Sequence, residues 1–197
     1  MKKRPLLLYT ALVLTLLSAP TQAQTNLASL GSNNFTVLFE FDATATQTAT
    51  NLTFAASEAG LFAGSFTNSY NWTAYSDTNI WTFGLFLSVS QAASMSEAFT
   101  VELLDSSLTG LVAKYQGQTP ADATPAFMSM TPVIGAGSLD FSDVAGFQMT
   151  WDGAGGGTAV IDGIGVVPEP STWAMLTLSV ALLGGLALRR RLAAVRR

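Results

Sequence analysis

The sequence predicts an all-β protein: a single antiparallel β-sandwich of jelly-roll or Greek-key type, flanked by an N-terminal signal helix and a C-terminal transmembrane helix. Three observations carry this prediction. Between its ends the chain is rich in Thr, Ser, Ala, Gly and Phe and nearly free of Lys and Arg, which favours strands. Short alternating runs recur, bounded by Gly, Asn, Asp and Ser. No long amphipathic helix pattern lies between them.

The first 23 residues have the pattern of a secretory signal peptide. A basic start at residues 2–4 is followed by an apolar run at residues 6–17 and by small residues that lead to Ala23. The apolar run is short for an uncleaved membrane anchor. We therefore expect signal peptidase to cut between Ala23 and Gln24, leaving an extracytoplasmic domain over residues 24–166.

About nine short strands are predicted in this domain. They are placed at 35–41, 51–55, 61–66, 80–89, 99–103, 111–115, 127–134, 144–151 and 158–166. In the first of them, Phe35, Val37, Phe39 and Phe41 fall on one face. The Gly-rich segment 153–157 lacks the Lys-Ser or Lys-Thr of a phosphate-binding loop, so it is predicted to be a hairpin turn.

The net charge of the domain restricts the classes of molecule that it can bind. Lys114 is its only basic residue against twelve acidic ones, so the net charge is about −11. Such a field repels nucleic acid, which we exclude as a partner. The chain also contains no Cys and no His, which excludes disulfides, a Ser-His-Asp triad, a Cys-His pair and a His-ligated zinc site.

Acidic pairs are the remaining route to catalysis, because two carboxylates suffice for glycoside hydrolysis. The three candidate pairs are Glu40 and Asp42, Glu102 and Asp105, and Asp140 and Asp143. None has a family signature, and a solvated strand or loop explains each. We therefore predict no enzymatic activity and no catalytic residues.

Aromatic residues offer a second kind of site. Trp72, Tyr75 and Trp81 lie near the most apolar strand, where exposed rings could stack on sugars. Aromatic rings more often fill a sandwich core, and the sequence leaves both alternatives open.

The last strand carries a weaker resemblance. Residues 159–164 resemble the closing strand of carbohydrate-binding jelly-roll modules. That resemblance implies a structural calcium beside Asp162, since carboxylates and backbone carbonyls are the oxygen ligands that calcium takes. No other cofactor is predicted.

The C-terminal segment, residues 167–197, has the pattern of a membrane anchor. An uncharged run forms a predicted transmembrane helix over about residues 172–188, and an arginine-rich cluster at 189–197 follows it. The arginines are expected to stay in the cytoplasm. Two prolines before the helix predict an extended, accessible link.

The order of these features resembles the PEP-CTERM sorting signal of Gram-negative bacteria. The residues that carry the resemblance are Pro168, Glu169, Pro170, Arg189, Arg190 and Arg191. The resemblance implies recognition by an exosortase, a membrane cysteine transpeptidase, at or near the Pro-Glu-Pro sequence. It also implies transient residence in the inner membrane, removal of the anchor, and delivery to the cell surface or an exopolysaccharide matrix.

Three functional hypotheses follow. The first is a non-enzymatic surface or matrix protein that associates with exopolysaccharide. The second is a carbohydrate-binding module displayed at the cell surface. The third is a carboxylate-based hydrolase, for which we expect no turnover.

Overall fold

The structure, a computed structural model, describes residues 24–89, 98–119, 125–151, 157–169 and 184. One compact unit comprises Gln24–Val167, and the two ends of the chain form a second unit. The predicted signal peptide, the Arg cluster and all but one residue of the predicted transmembrane segment lie outside the described residues. Among the residues that are described, no helix is both long enough and apolar enough to cross a membrane.

The described residues form ten strands and one short 3-10 turn at Thr73–Tyr75. In chain order the strands are β1 Thr25–Ser29, β2 Phe35–Gln47, β3 Leu52–Tyr70, β4 Trp81–Val89, β5 Ala98–Leu104, β6 Leu111–Gln118, β7 Ala126–Ser129, β8 Thr131–Pro132, β9 Val144–Trp151 and β10 Gly157–Pro168. The all-β prediction is confirmed. Strand β1 was not predicted, and the two strands predicted at 51–55 and 61–66 are the single strand β3.

The strands form one sheet, in the order β7-β4-β10-β3-β9-β5-β6-β8, with β1 added to β10 and β2 added to β3. Strands β7 and β8 lie at opposite ends of this order, yet only Met130 separates them in the chain. The two ends of the sheet are therefore joined, and the sheet is nearly a barrel. The ring of Phe83 on β4 accordingly lies 5.1 Å from that of Tyr115 on β6.

The hairpin predicted at residues 153–157 is wrong. Strand β9 pairs antiparallel with β3 through Trp151 and Gly60, and β10 pairs antiparallel with the same strand through Gly157 and Ala56. Both strands are antiparallel to β3 and pair with successive parts of it, so they run in the same direction. A hairpin would require them to run in opposite directions. Glycine-rich composition marks where a strand is interrupted, but it does not fix the direction in which the chain continues.

The core is made largely of aromatic rings. Phe62 has no exposed surface, and its ring centroid lies 5.1 Å from that of Phe54, 5.7 Å from that of Phe147 and 6.4 Å from that of Phe35. Rings at these separations and tilts gain attraction beyond the area they bury. With no disulfide available, this packing holds the unit together.

Strand β2 departs from its predicted alternation. Its register with β3 shifts between Val37 and Phe39, so that a β-bulge at Leu38 changes which residues face the core. Phe35 is fully buried, whereas Phe39 and Phe41 are 55% and 57% exposed. The prediction that all four apolar residues fall on one face is therefore wrong, because the inserted residue moves the side chains between it and the second register shift to the opposite face.

The outer edge of β2 is shielded by its own side chain. The backbone N–H of Ala45 donates a 2.7 Å hydrogen bond to Oε1 of Glu40. A second register shift follows Phe41, where Asp42 has a positive φ of 49°. Bulges and acidic residues on an edge strand oppose pairing with another chain.

We predict that Glu40→Ala will promote self-association of the purified domain. The substitution frees the Ala45 amide and removes a negative charge from the edge strand. Light scattering and size-exclusion chromatography at increasing protein concentration measure the effect. Glu58→Ala is the matched control, since it removes the same charge from an exposed position of β3. Equal association by the two variants would contradict a specific role for Glu40.

A buried tyrosine in the core leads us to predict a loss of stability at alkaline pH. Burial raises the pKa of the Tyr115 hydroxyl, and this side chain is only 2% exposed. An unfolded tyrosine ionises near pH 10, whereas the folded Tyr115 stays neutral, so stability falls as the pH rises above about 10. Urea titrations between neutral and alkaline pH should show a smaller decline for Tyr115→Phe. The half-buried Tyr75→Phe serves as control and should retain the full decline.

Candidate functional site

The structure separates the three predicted aromatic contacts. Trp72 is 3% exposed, its ring stacks on Tyr70 at 5.6 Å, and it also contacts Phe83 at 6.2 Å. Its backbone N–H donates a 2.7 Å hydrogen bond to the Phe141 carbonyl. Trp72 is therefore a core residue, and its ring is not available for stacking on a sugar.

Tyr75 and Trp81 do lie together. Their rings meet edge to face at 5.2 Å, and both side chains are half-buried against the core. The neighbouring Ile80 is 43% exposed. The pair thus leaves a small aromatic surface, separate from the buried Trp72.

The acidic pairs have structural roles in turns and ladders. Oδ1 of Asp105 accepts hydrogen bonds from the backbone N–H groups of Ser107, at 2.9 Å, and Gly110, at 3.3 Å. Hydrogen bonds from Ser142 lower the pKa of Asp140, and hydrogen bonds from Ser106 lower that of Asp143. A general acid in glycoside hydrolysis requires a raised pKa, so the shifts in this pair have the opposite direction.

Asp162, where calcium was predicted, lies exposed beside a cavity of about 240 Å³. Its backbone carbonyl accepts a 3.2 Å hydrogen bond from the Leu30 N–H. Across the described ranges, no group of three or more acidic residues is arranged to hold a metal ion. A calcium ion at Asp162 remains a prediction.

A different surface brings polar and aromatic side chains together. We call it the outer face: the side of β2, β3, β9, β5 and β6 that points away from the core. Across these strands, one ladder in register comprises Phe39, Ala63, Gln148, Glu102 and Lys114. The next comprises Phe41, Leu61, Thr150, Thr100 and Gln116. Four strand spacings make each ladder about 19 Å long.

Hydrogen bonds fix the polar part of the first ladder. Lys114 Nζ donates to Glu102 Oε1 at 2.8 Å, and Gln148 Nε2 donates to Glu102 Oε2 at 3.1 Å. The carboxylate is thus held from both sides, and the only basic residue of the domain is neutralised by it. The ladder offers amide, ammonium and carboxylate groups in fixed positions with no net charge.

The second ladder opens into a cleft. This cleft has a volume of about 670 Å³ and lies where β8 joins the edge of β6. Among the described residues, those that line the cleft are all uncharged; they comprise Ala98, Phe99, Thr100, Gln116, Gly117, Gln118, Met128, Ser129 and Thr131. Hydroxyl and carboxamide groups both donate and accept hydrogen bonds, as the hydroxyls of a neutral sugar require.

The exposure of Phe39 and Phe41 was not predicted from the sequence. A signal was present, because Val37, Leu38 and Phe39 are three consecutive apolar residues, which strict alternation does not allow. One of the three has to be a bulge or an exposed residue. The sequence does not show which.

The sorting residues are only partly described. Pro168 is the last residue of β10 and is half-buried, as is Glu169. The expected mature N-terminus, Gln24, is exposed just before β1. Ala23, Pro170, Arg189, Arg190 and Arg191 lie outside the described residues.

The family comparison identifies the tail. The model of the PEP-CTERM protein-sorting motif matches residues 166–191, so the chain carries this motif, as its sequence predicted. The motif implies export, recognition by an exosortase and membrane-anchored sorting toward the cell surface. No curated protein sequence matches the chain.

Several solved structures resemble the body at low sequence identity. An agarase, AgWH50C, aligns with a TM-score of 0.48 and 12% identity over 76% of this chain, which spans only 25% of that agarase. A family 11 carbohydrate-binding module from Clostridium thermocellum, in complex with a mixed-linked tetrasaccharide, aligns at 0.47 and 11% identity over 73% of this chain and 94% of its own. A family 30 carbohydrate-binding module aligns with a TM-score of 0.46 and 11% identity, over 74% of this chain and 99% of its own.

Proposed function

We propose that the protein is an exported, non-enzymatic surface or matrix protein whose body binds a neutral polysaccharide through the outer face. An exosortase removes its anchor, and binding then retains the body in the exopolysaccharide at the cell surface. The observation that carries the sorting half is the match of the sorting motif at residues 166–191. The observation that carries the binding half is the pair of ladders that begin at the exposed Phe39 and Phe41, of which the second leads to a polar cleft.

Charge supports a neutral ligand. The net charge of the domain is about −11, and its only basic residue, Lys114, forms an ion pair with Glu102. An anionic polysaccharide would therefore meet repulsion without a free cation to offset it. A neutral chain can use the hydroxyl and amide groups of the face and stack its rings on exposed phenylalanine.

The shape of the face supports an extended ligand. Its two ladders run across five strands over about 19 Å, which suits a chain of several sugar units rather than a single one. Aromatic residues stand at one end and the uncharged cleft at the other. A ligand that lies across the strands would contact both.

Cell fractionation tests the sorting half. The tagged full-length chain is expected at the cell surface or in the matrix when the sorting protease is present, and in the inner membrane when its gene is deleted. A mature protein that stays in the cytoplasm or free in the periplasm would reject this half of the proposal.

Affinity electrophoresis tests the binding half. The purified body is expected to be retarded in gels that contain neutral polysaccharides and not in gels with anionic ones, each run with and without calcium. A catalytic assay on the retained polysaccharides is expected to show no release of reducing ends. Absence of retardation across a broad neutral panel would reject the binding half, and released reducing ends would reject its non-enzymatic character.

A further inference from the structure

The sorting motif begins inside the folded domain. Its matched residues start at 166, whereas strand β10 continues to Pro168. Val166 has no exposed surface and Val167 is only 5% exposed. Val166 also stands in register with Thr25 of β1. The first two residues of the motif are therefore part of the sheet and its core.

A peptide bond between residues that are buried in a sheet is not accessible to an enzyme. Proteases and transpeptidases act on chain that is extended and accessible, as in loops and ends that are not tied down. Exposing the bond on either side of Val167 would require β10 to separate from β1 and two valines to leave the core. Pro168 is the first residue of the motif that is not buried.

We propose that the sheet sets the upstream limit of processing: the chain is cut on the C-terminal side of Pro168, while the body remains folded. This inference rests on the proposed sorting by an exosortase. In the cut, the bond between a carbonyl carbon and the next amide nitrogen breaks. That nitrogen leaves with the anchor as an amine after taking up a proton, and the acyl group passes through the enzyme's thiol to water or to an acceptor amine.

The consequence is that the mature protein keeps all of β10. A cut upstream of Val166 would remove residues that pair with β1 and fill the core, and it would release a destabilised body. The folded domain thus protects its own last strand while the tail is removed. The bonds left for the enzyme begin with the one between Pro168 and Glu169.

Mass spectrometry of the mature protein tests this limit. The full-length chain is isolated from cells with the sorting protease and from cells in which its gene is deleted, and the C-terminal peptide is sequenced. We expect the protease-dependent form to end at Pro168 or at a later residue. An end at Val167 or earlier would overturn the inference while leaving exosortase sorting intact. A tail that stays uncut in both strains would overturn the inference and the sorting proposal together.

A spacer distinguishes access from sequence preference. Insertion of Gly-Ser-Gly-Ser between Val167 and Pro168 moves the Pro-Glu-Pro sequence away from the sheet and keeps the buried Val166 and Val167 joined to β10. If the sheet limits access, pulse-chase labelling should show processing that is several-fold faster, with the cut at the same distance from the Pro-Glu-Pro sequence. The same insertion after Gly135, next to the fully exposed Ile134, is the control and should leave the rate unchanged. Equal rates for the two insertions would contradict a limit set by the sheet.

Discussion

Replacing both Phe39 and Phe41 with alanine is expected to weaken binding to neutral polysaccharide at least about tenfold, which corresponds to about 1.4 kcal/mol. Both rings are more than half exposed on the outer face, and they stand in register with its two polar ladders. Loss of the rings removes the stacking surface while leaving the buried core unchanged. Affinity electrophoresis of the body in gels of graded polysaccharide concentration measures the change.

Two controls make this result specific. Ile134→Ala removes a 98% exposed apolar side chain from a turn outside the outer face, and it should leave binding unchanged. The unfolding midpoint of the double variant should stay close to that of the parent protein, because exposed substitutions usually alter stability by less than about 0.5 kcal/mol. Unchanged affinity in a folded double variant would exclude these rings as ligand contacts.

The second large effect is expected in the core. Phe62→Ala should lower the free energy of unfolding by about 3–5 kcal/mol, because Phe62 is fully buried among Phe35, Phe54 and Phe147. That loss is a large part of the stability of an ordinary domain. Urea titration of the purified body measures it as a lower midpoint at an unchanged slope.

Phe41→Ala is the matched control for this variant. It removes the same kind of side chain from β2, which pairs with the strand that carries Phe62, but from the exposed side. Its unfolding midpoint should stay close to that of the parent protein. A small effect of Phe62→Ala would mean that the surrounding rings close the cavity, and it would contradict a core that depends on ring packing.

Local sequence patterns predict the strands well where one face is buried throughout. Strand β9 occupies residues 144–151 as predicted, because Phe147, Met149 and Trp151 alternate without interruption and all face the core. The joining of the two ends of the sheet could not be predicted in this way. It depends on β7 and β8 pairing with strands far apart in the sheet, which no local pattern encodes.

The candidate site shows the same difference between what a local sequence pattern can predict and what it cannot. The resemblance of the tail was readable because the sorting motif is a contiguous sequence. The outer face combines side chains from five strands, and its aromatic members depend on a bulge at Leu38. Trp72 shows the converse, since an aromatic residue next to a turn can belong to the core, and only its position among Tyr70 and Phe83 distinguishes the two cases.

Strand β10 also determines how the domain responds to tension. In the sheet order it lies between β4 and β3, and its last residues pair with β1. Because the tail continues from this interior strand, a pull on the C-terminus acts along hydrogen bonds on both sides of β10 at once. Force would therefore load many bonds together instead of peeling an edge strand one bond at a time. While the body is still joined to its C-terminal tail, that placement favours resistance to force applied through the tail.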